Sequence, residues 1–227
     1  MTMQEPALPV LDTREAPLPH RGARIFTLAP ARGAVRSAAI YLHGRGAPAE
    51  DILSLHRELG VDGMLGLAPE ARENSWYPQR FIAPYEYNRA SVESAHALIA
   101  SLIDQLDAQG IPPSRVALVG FSQGACLSLD HALRHPRRFG AIAAFTGGAI
   151  GDADPLPRAP SDIAGTPVFL GANDPDPHIP YSRVEATARA LASAGAAVTL
   201  RRYPGRPHSV FEDEIAEARA MFQIAFA

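Results

Sequence analysis

The sequence predicts an α/β domain with a mainly parallel central sheet that helices cover on both faces. Short apolar runs alternate with helical patterns along most of the chain, which is typical of parallel strands joined by helical connections. With 227 residues, 47% of them hydrophobic, the chain is long enough for one sizeable core. We expect residues 21–227 to form a single domain, and residues 1–20, which contain four prolines, to form an extended arm.

The predicted strands are short runs rich in apolar and β-branched residues, bounded by glycine, proline or polar residues. In chain order they lie at residues 24–28, 37–42, 63–68, 115–119, 141–145, 167–170 and 197–202. No internal repeat or clear linker interrupts this order, so we expect one continuous sheet.

The predicted helices repeat apolar residues at spacings of three and four. They lie at residues 48–59, 90–109, 123–134, 181–194 and 211–225. The longest carries an apolar stripe from Val92 to Leu106 and stops at Gly110. Helices of this length between the strands are long enough to cover both faces of the sheet.

Composition excludes several classes of function. A net charge of −3 gives no electrostatic argument for binding nucleic acid. No apolar run approaches the roughly 20 residues of a membrane span, and the N-terminal segment lacks the apolar core of a signal peptide. The lone cysteine, Cys126, cannot form an internal disulfide. We expect a cytoplasmic protein that acts on a small molecule, as a monomer or a homodimer.

A G-x-S-x-G motif at residues 120–124 places Ser122 between the apolar run 116–119 and the helical pattern 125–134. This strand, turn and helix context is that of a nucleophile elbow. Glycines flank the serine because a Cβ atom at either position would contact the neighbouring backbone in so sharp a turn. The motif therefore predicts an exposed, nucleophilic serine.

The other reactive residues also follow predicted strands, where ligands of parallel sheets bind. The aspartate-containing segment 171–176 follows one strand, and His208 follows another. The resulting order, serine then acid then histidine, is that of an α/β-hydrolase. A serine hydroxyl needs an imidazole base, and that base needs a carboxylate to fix its tautomer and stabilise its cation.

Several motifs carry a resemblance to a known family. They are Leu42-His43-Gly44-Arg45-Gly46, Ser75-Trp76-Tyr77, Gly120-Phe121-Ser122-Gln123-Gly124-Ala125, Gly171 to Pro180, and Tyr203-Pro204-Gly205 before His208. Together they make the chain similar to the phospholipase/carboxylesterase family of small serine hydrolases, which includes the acyl-protein thioesterases. The resemblance spans nearly everything after residue 35 and implies an α/β-hydrolase fold.

The resemblance implies Ser122 as nucleophile, His208 as base, and the backbone N–H groups of Arg45 and Gln123 as an oxyanion hole. Acyl transfer builds negative charge on a carbonyl oxygen, and free N–H groups at a helix start can stabilise that charge. The Arg45 side chain either contacts an anionic substrate or is solvated. The resemblance also implies that Trp76 and Tyr77 line the substrate pocket, since their loop borders the site in this family.

The acid of the triad has two candidates. Counting forward from Gly171 selects Asp174, whereas counting back from Ile179 and Pro180 selects Asp176. We prefer Asp174, because a triad acid directly follows its strand, and we expect Asp176 to be the N-cap of the next helix.

No cofactor and no metal are expected. His131 and His135 are four residues apart on one helix, a spacing that can share a metal ion, but no third ligand is evident in the sequence. Their place near a helix C-terminus is instead explained by the helix dipole.

The predicted activity is that of a carboxylesterase acting on small to medium acyl chains. Only 52 residues separate Ser122 from Asp174, which leaves little room for a large lid domain. Thioesterase or lysophospholipase activity uses the same acyl-enzyme chemistry and stays an alternative. A ligand-binding protein with this fold but no turnover is a further alternative.

Overall fold

The central sheet has seven strands within the part of the chain that the structure describes. This computed structural model describes residues 8–30, 33–153, 156 and 161–227. The strands are β1 (Ile25–Leu28), β2 (Ser37–Leu42), β3 (Met64–Pro69), β4 (Val116–Phe121), β5 (Ala141–Phe145), β6 (Pro167–Asp174) and β7 (Ala197–Pro204). Their order across the sheet is β1-β3-β2-β4-β5-β6-β7, and β1 alone runs antiparallel to its neighbour. The predicted mainly parallel sheet is confirmed.

Helices pack on both faces of the sheet, as predicted. They are α1 (Ser54–Leu59), α2 (Arg89–Ala108), α3 (Gln123–Arg134), α4 (Tyr181–Ser193) and α5 (Glu212–Ala225). The first predicted helix begins with a 3₁₀ turn and becomes α-helical only at Ser54. None of the helices in the described ranges is long and apolar enough to cross a membrane.

Alternate residues of each central strand face two separate apolar layers. Ile40 of β2 and Leu118 of β4 face the layer that α2, α3 and α4 cover. Their neighbours Tyr41 and Val119 face the layer that α1 and α5 cover. Because successive side chains of a strand point to opposite faces, strands buried on both sides consist of nearly continuous apolar residues.

Strand β6 is longer than its apolar run predicts. The run ends at Leu170, but the strand continues to Asp174 because it stays paired with β7 as far as Pro204. Backbone pairing with a neighbouring strand, and not side-chain hydrophobicity, sets this end. Asp174 is consequently the last residue of the strand.

Residues 8–20 lie along α2. The side-chain amide of Gln105 accepts a hydrogen bond from the Asp12 backbone N–H (2.7 Å) and donates one to the Asp12 carbonyl (2.8 Å). The Ser94 hydroxyl donates to the Pro17 carbonyl at 2.7 Å. These contacts fix the described part of the predicted arm to the helical layer.

Candidate active site

Ser122 lies in a strained turn between β4 and α3. Its backbone has φ 54° and ψ −116°, a conformation that a residue with a side chain rarely adopts. The Ser122 N–H donates to the Phe145 carbonyl at 3.0 Å, and its own carbonyl accepts from the Cys126 N–H at 2.9 Å. These two backbone hydrogen bonds thus keep Ser122 in its strained conformation, and such strain is common at functional sites.

Two glycines make this turn possible. A Cβ atom on Gly120 would lie 2.4 Å from the backbone of Gly124, and one on Gly124 would lie 1.9 Å from the Leu42 carbonyl oxygen. Both distances are far inside van der Waals contact. The close approach of β2, β4 and α3 therefore explains both glycines of the motif.

A chain of hydrogen bonds joins Ser122, His208 and Asp176. The Ser122 hydroxyl lies 2.8 Å from Nε2 of His208, and Nδ1 of His208 lies 2.6 Å from Oδ2 of Asp176. The other carboxylate oxygen accepts from the backbone N–H groups of His178 (2.8 Å) and Ile179 (2.9 Å). Desolvation raises the pKa of Asp176, but these hydrogen bonds outweigh it and leave the pKa below its usual range.

The preference for Asp174 as the partner of His208 is wrong. Asp174 ends β6 and its Oδ2 accepts a hydrogen bond from Nε of Arg202 on the adjacent strand at 2.7 Å. The loop after β6 must run two residues further before a carboxylate reaches His208, and that carboxylate is Asp176. The expected N-cap role of Asp176 is also wrong, because Pro180 holds that position before α4.

A cavity of about 580 Å³ opens beside Ser122 and His208. Its apolar lining includes Tyr77, Phe81, Phe121, Cys126 and Ile179. The sequence did not predict that Phe81, Phe121 and Ile179 line one cavity, because they lie on segments far apart in the chain and only the fold brings them together. A volume of this size suits a small organic ligand.

Arg45 and Gln123 both line this cavity next to Ser122. Gln123 is the first residue of α3, where backbone N–H groups have no partner within the helix. The Arg45 guanidinium donates to the carbonyls of Pro78 (2.9 Å) and Gln79 (2.7 Å). This side chain therefore holds the loop beside the cavity, whereas contact with an anionic substrate or solvation was expected for it.

Trp76 does not line the cavity, contrary to expectation. Its side chain is fully buried, and its indole N–H donates to the His43 carbonyl at 3.0 Å. Tyr77, next in the chain, does line the cavity. The Gln123 side chain fixes both residues, since it accepts from the Trp76 N–H (2.9 Å) and donates to the Tyr77 carbonyl (2.8 Å). Trp76 is an anchor for the loop, and a substrate contact by Tyr77 stays a prediction.

His43 is a structural residue of the site that the sequence did not single out. Its Nδ1 lies 2.8 Å from the Gly44 carbonyl, and its Nε2 accepts from the Ala71 N–H at 3.1 Å. Burial lowers the pKa of this ring, which suits the neutral form that both contacts require. His43 directly precedes Gly44 and Arg45 in the first of the family motifs, and this position was the sequence feature that could have indicated its role.

Glu214 is a buried carboxyl on the first turn of α5, directly after the loop that carries His208. One oxygen accepts from the Phe211 N–H at 3.0 Å, while the other has no partner among the described residues. Burial raises the pKa of Glu214 from 4.5 to about 7. The folded protein therefore binds a proton here more tightly than the unfolded chain does.

The Glu214→Gln variant should be less sensitive to pH than the native protein. The stabilisation that the protonated Glu214 carboxyl gives the native protein is complete below pH 4.5. It is lost as pH rises through about 7, where this buried carboxyl ionises. A rise of the pKa from 4.5 to about 7 makes the free energy of unfolding larger at low pH than at high pH by about 3 kcal/mol. Glutamine keeps the hydrogen bond to Phe211. Urea unfolding at pH 5 and pH 8 measures the difference.

Glu212→Gln is the matched control for this measurement, because Glu212 lies on the same turn but its side chain is 71% exposed. Its stability should follow the native pH profile. Equal pH profiles for Glu214→Gln and the native protein would contradict the assignment of that titration to Glu214.

The chain is similar to proteins of one family. The sequence profile of the phospholipase/carboxylesterase family matches residues 63–225. A solved phospholipase/carboxylesterase from Dyadobacter fermentans shares 42% sequence identity with a TM-score of 0.83, covering 88% of this chain and 96% of that one. The solved esterase PE8 shares 27% identity with a TM-score of 0.74, covering 89% and 99% of the two chains.

Curated relatives include both carboxylesterases and a thioesterase. The carboxylesterase SOBER1 of Arabidopsis thaliana is 26% identical over 199 residues, which cover 79% of this chain and 86% of that protein. Acyl-protein thioesterase 1 of Eremothecium gossypii is 34% identical over 129 residues, which cover 56% and 54%. A probable carboxylesterase from Oryza sativa subsp. japonica is 30% identical over 125 residues, which cover 55% and 46%. The match thus spans about half the length of the rice and fungal relatives.

Proposed function

Because the chain belongs to the phospholipase/carboxylesterase family, we propose that it hydrolyses carboxylic esters of small to medium acyl length through Ser122, His208 and Asp176. The observation that carries this proposal is the unbroken chain of hydrogen bonds from the Ser122 hydroxyl through His208 to the Asp176 carboxylate. Each bond has the length that proton transfer or charge stabilisation requires.

In the first half of the reaction, Nε2 of His208 takes the proton of the Ser122 hydroxyl while Oγ attacks the ester carbonyl carbon. The tetrahedral intermediate collapses as His208 returns that proton to the leaving alkoxide, which departs as an alcohol. Water then attacks the acyl-enzyme with the same assistance and releases the acid. Asp176 remains ionised throughout, fixes the imidazole tautomer and stabilises its cation.

The backbone N–H groups of Arg45 and Gln123 stabilise the oxyanion. Both residues border the cavity at Ser122, and the contacts of their side chains hold them in place. Donors fixed before the reaction need no rearrangement as charge develops on the carbonyl oxygen. Loss of one such donor commonly lowers kcat by roughly 10²-fold or more.

The apolar walls of the cavity, which include Phe81, Phe121 and Ile179, suit an aliphatic or aromatic acyl chain. We expect chains of small to medium length, because the sequence predicts no large lid domain over the site. A thioesterase is the second candidate, since several relatives are acyl-protein thioesterases. Among the described residues that line the cavity, none distinguishes an oxygen from a sulfur leaving atom.

A fluorophosphonate probe tests the proposal directly. We expect stoichiometric labelling of Ser122, together with hydrolysis of p-nitrophenyl acetate and butyrate. A panel of oxygen esters and thioesters matched in acyl length then ranks the two candidates by kcat/KM. Folded protein that binds these esters without turnover or labelling would favour the non-catalytic alternative and contradict the proposal.

A further inference from the structure

Three histidines meet at the end of α3 that is remote from the nucleophile. His96 on α2 lies against His131 on α3, and His135 directly follows α3. Each ring offers one nitrogen atom as a metal ligand, and the three ligand atoms all lie within 4.8 Å of one another. His131 is nine residues after Ser122, so the cluster lies roughly 13 Å along the helix from the nucleophile.

A buried carboxylate orients the first of these rings. Nε2 of His96 lies 3.0 Å from Oδ2 of Asp130, which also accepts from Nε of Arg134 at 2.8 Å. The remaining oxygen of Asp130 accepts from the Ile150 N–H at 3.1 Å. Because Asp130 accepts the proton on Nε2, the lone pair on Nδ1 of His96 faces the cluster. A carboxylate holds metal-binding histidines in the same way.

The two buried rings already have the spacing of two ligands of one metal ion. Nδ1 of His131 lies 3.2 Å from Nδ1 of His96, close to the roughly 3.3 Å between two nitrogen ligands of a tetrahedral metal ion. Without a metal, one proton lies between these two nitrogen atoms. An ion bound by both Nδ1 atoms would replace that proton, and the neutral His131 ring would then carry its proton on Nε2.

Access and charge also suit an ion. His135 is exposed, so an ion and a fourth ligand from water can enter on that side. The nearby cations are already paired, Arg134 with Asp130 and Arg137 with Asp104.

We propose that His96, His131 and His135 bind one divalent transition-metal ion through one ring nitrogen each. Imidazole ligands favour zinc, nickel, cobalt and copper over magnesium or calcium. The ion would link α2 to the C-terminal end of α3 and stabilise the helical layer that supports the elbow. It takes no part in hydrolysis, because the cluster is remote from Ser122.

Metal titration of the full chain tests this site. Protein freed of metal by chelation is titrated with Zn²⁺ by calorimetry and with Co²⁺ by visible absorption, which reports coordination by nitrogen. We expect one ion per chain, and a Tm that rises with Zn²⁺ and falls back with EDTA. His135→Ala, at an exposed position, should fold normally and weaken binding at least about tenfold.

His178→Ala is the matched control, since His178 is exposed but lies in the cavity beside His208. Its metal affinity should equal that of the native protein. Binding that survives His135→Ala but is lost in His178→Ala would place the ion at the triad and overturn the proposal. Absence of 1:1 binding at micromolar Zn²⁺ would overturn it as well.

Discussion

The Ser122→Ala variant is expected to lose ester hydrolysis by on the order of 10⁴- to 10⁶-fold in kcat. Alanine has no nucleophile to form the acyl-enzyme, so only unassisted attack by water within the site remains. The lost hydroxyl also takes away one partner of His208, which lies 2.8 Å from it. Steady-state hydrolysis of p-nitrophenyl butyrate measures the loss, and fluorophosphonate labelling should vanish with it.

Two comparisons separate this result from unfolding. Ser54→Ala, at an exposed serine on α1, should keep native turnover, and Ser122→Ala should unfold at nearly the native Tm. The double variant Ser122→Ala/His208→Ala should be no slower than Ser122→Ala alone, because nucleophile and base act as one unit. Independent, multiplying losses from the two changes would contradict the proposed mechanism.

The sequence predicted the fold and the meeting of Ser122 with His208 because both follow from local patterns. The elbow motif fixes the turn at Ser122, and parallel strands bring the segments that follow them to one edge of the sheet. Side-chain direction is a different matter. Trp76 and Tyr77 are adjacent in an irregular loop, and no periodicity tells which of them faces the cavity and which faces the core.

The wrong choice of Asp174 as the acid and the failure to identify His96 as a neighbour of His131 have related causes. The apolar run of β6 ends at Leu170, but pairing with β7 carries the strand to Asp174, and no property of β6 alone reveals this. His96 lies 35 residues before His131, and only the packing of α2 on α3 brings the two rings together. Both depend on contacts between elements, to which a search of local patterns is insensitive.

The two aspartates provide the sharpest test of the triad. Asp176→Asn should lower kcat by roughly 10⁴-fold, because an amide can donate to Nδ1 of His208 and favour the wrong tautomer, and cannot stabilise the imidazolium. Asp174→Asn should change kcat by less than about threefold, since it removes only a partly exposed ion pair with Arg202. Hydrolysis of one ester by both variants makes the comparison.

The contrast is informative because the two substitutions are chemically identical and lie two residues apart. A general effect of charge on this loop would slow both variants alike, whereas an effect through His208 slows only Asp176→Asn. Thermal stability gives an independent check. The Asp176 carboxylate also accepts hydrogen bonds from two backbone N–H groups, and the amide oxygen of the asparagine variant can still accept them. Loss of turnover in Asp176→Asn with little change in Tm would therefore indicate an effect on the His208 imidazole. Loss of activity in Asp174→Asn alone would contradict the proposal and identify Asp174, the last residue of β6, as the acid.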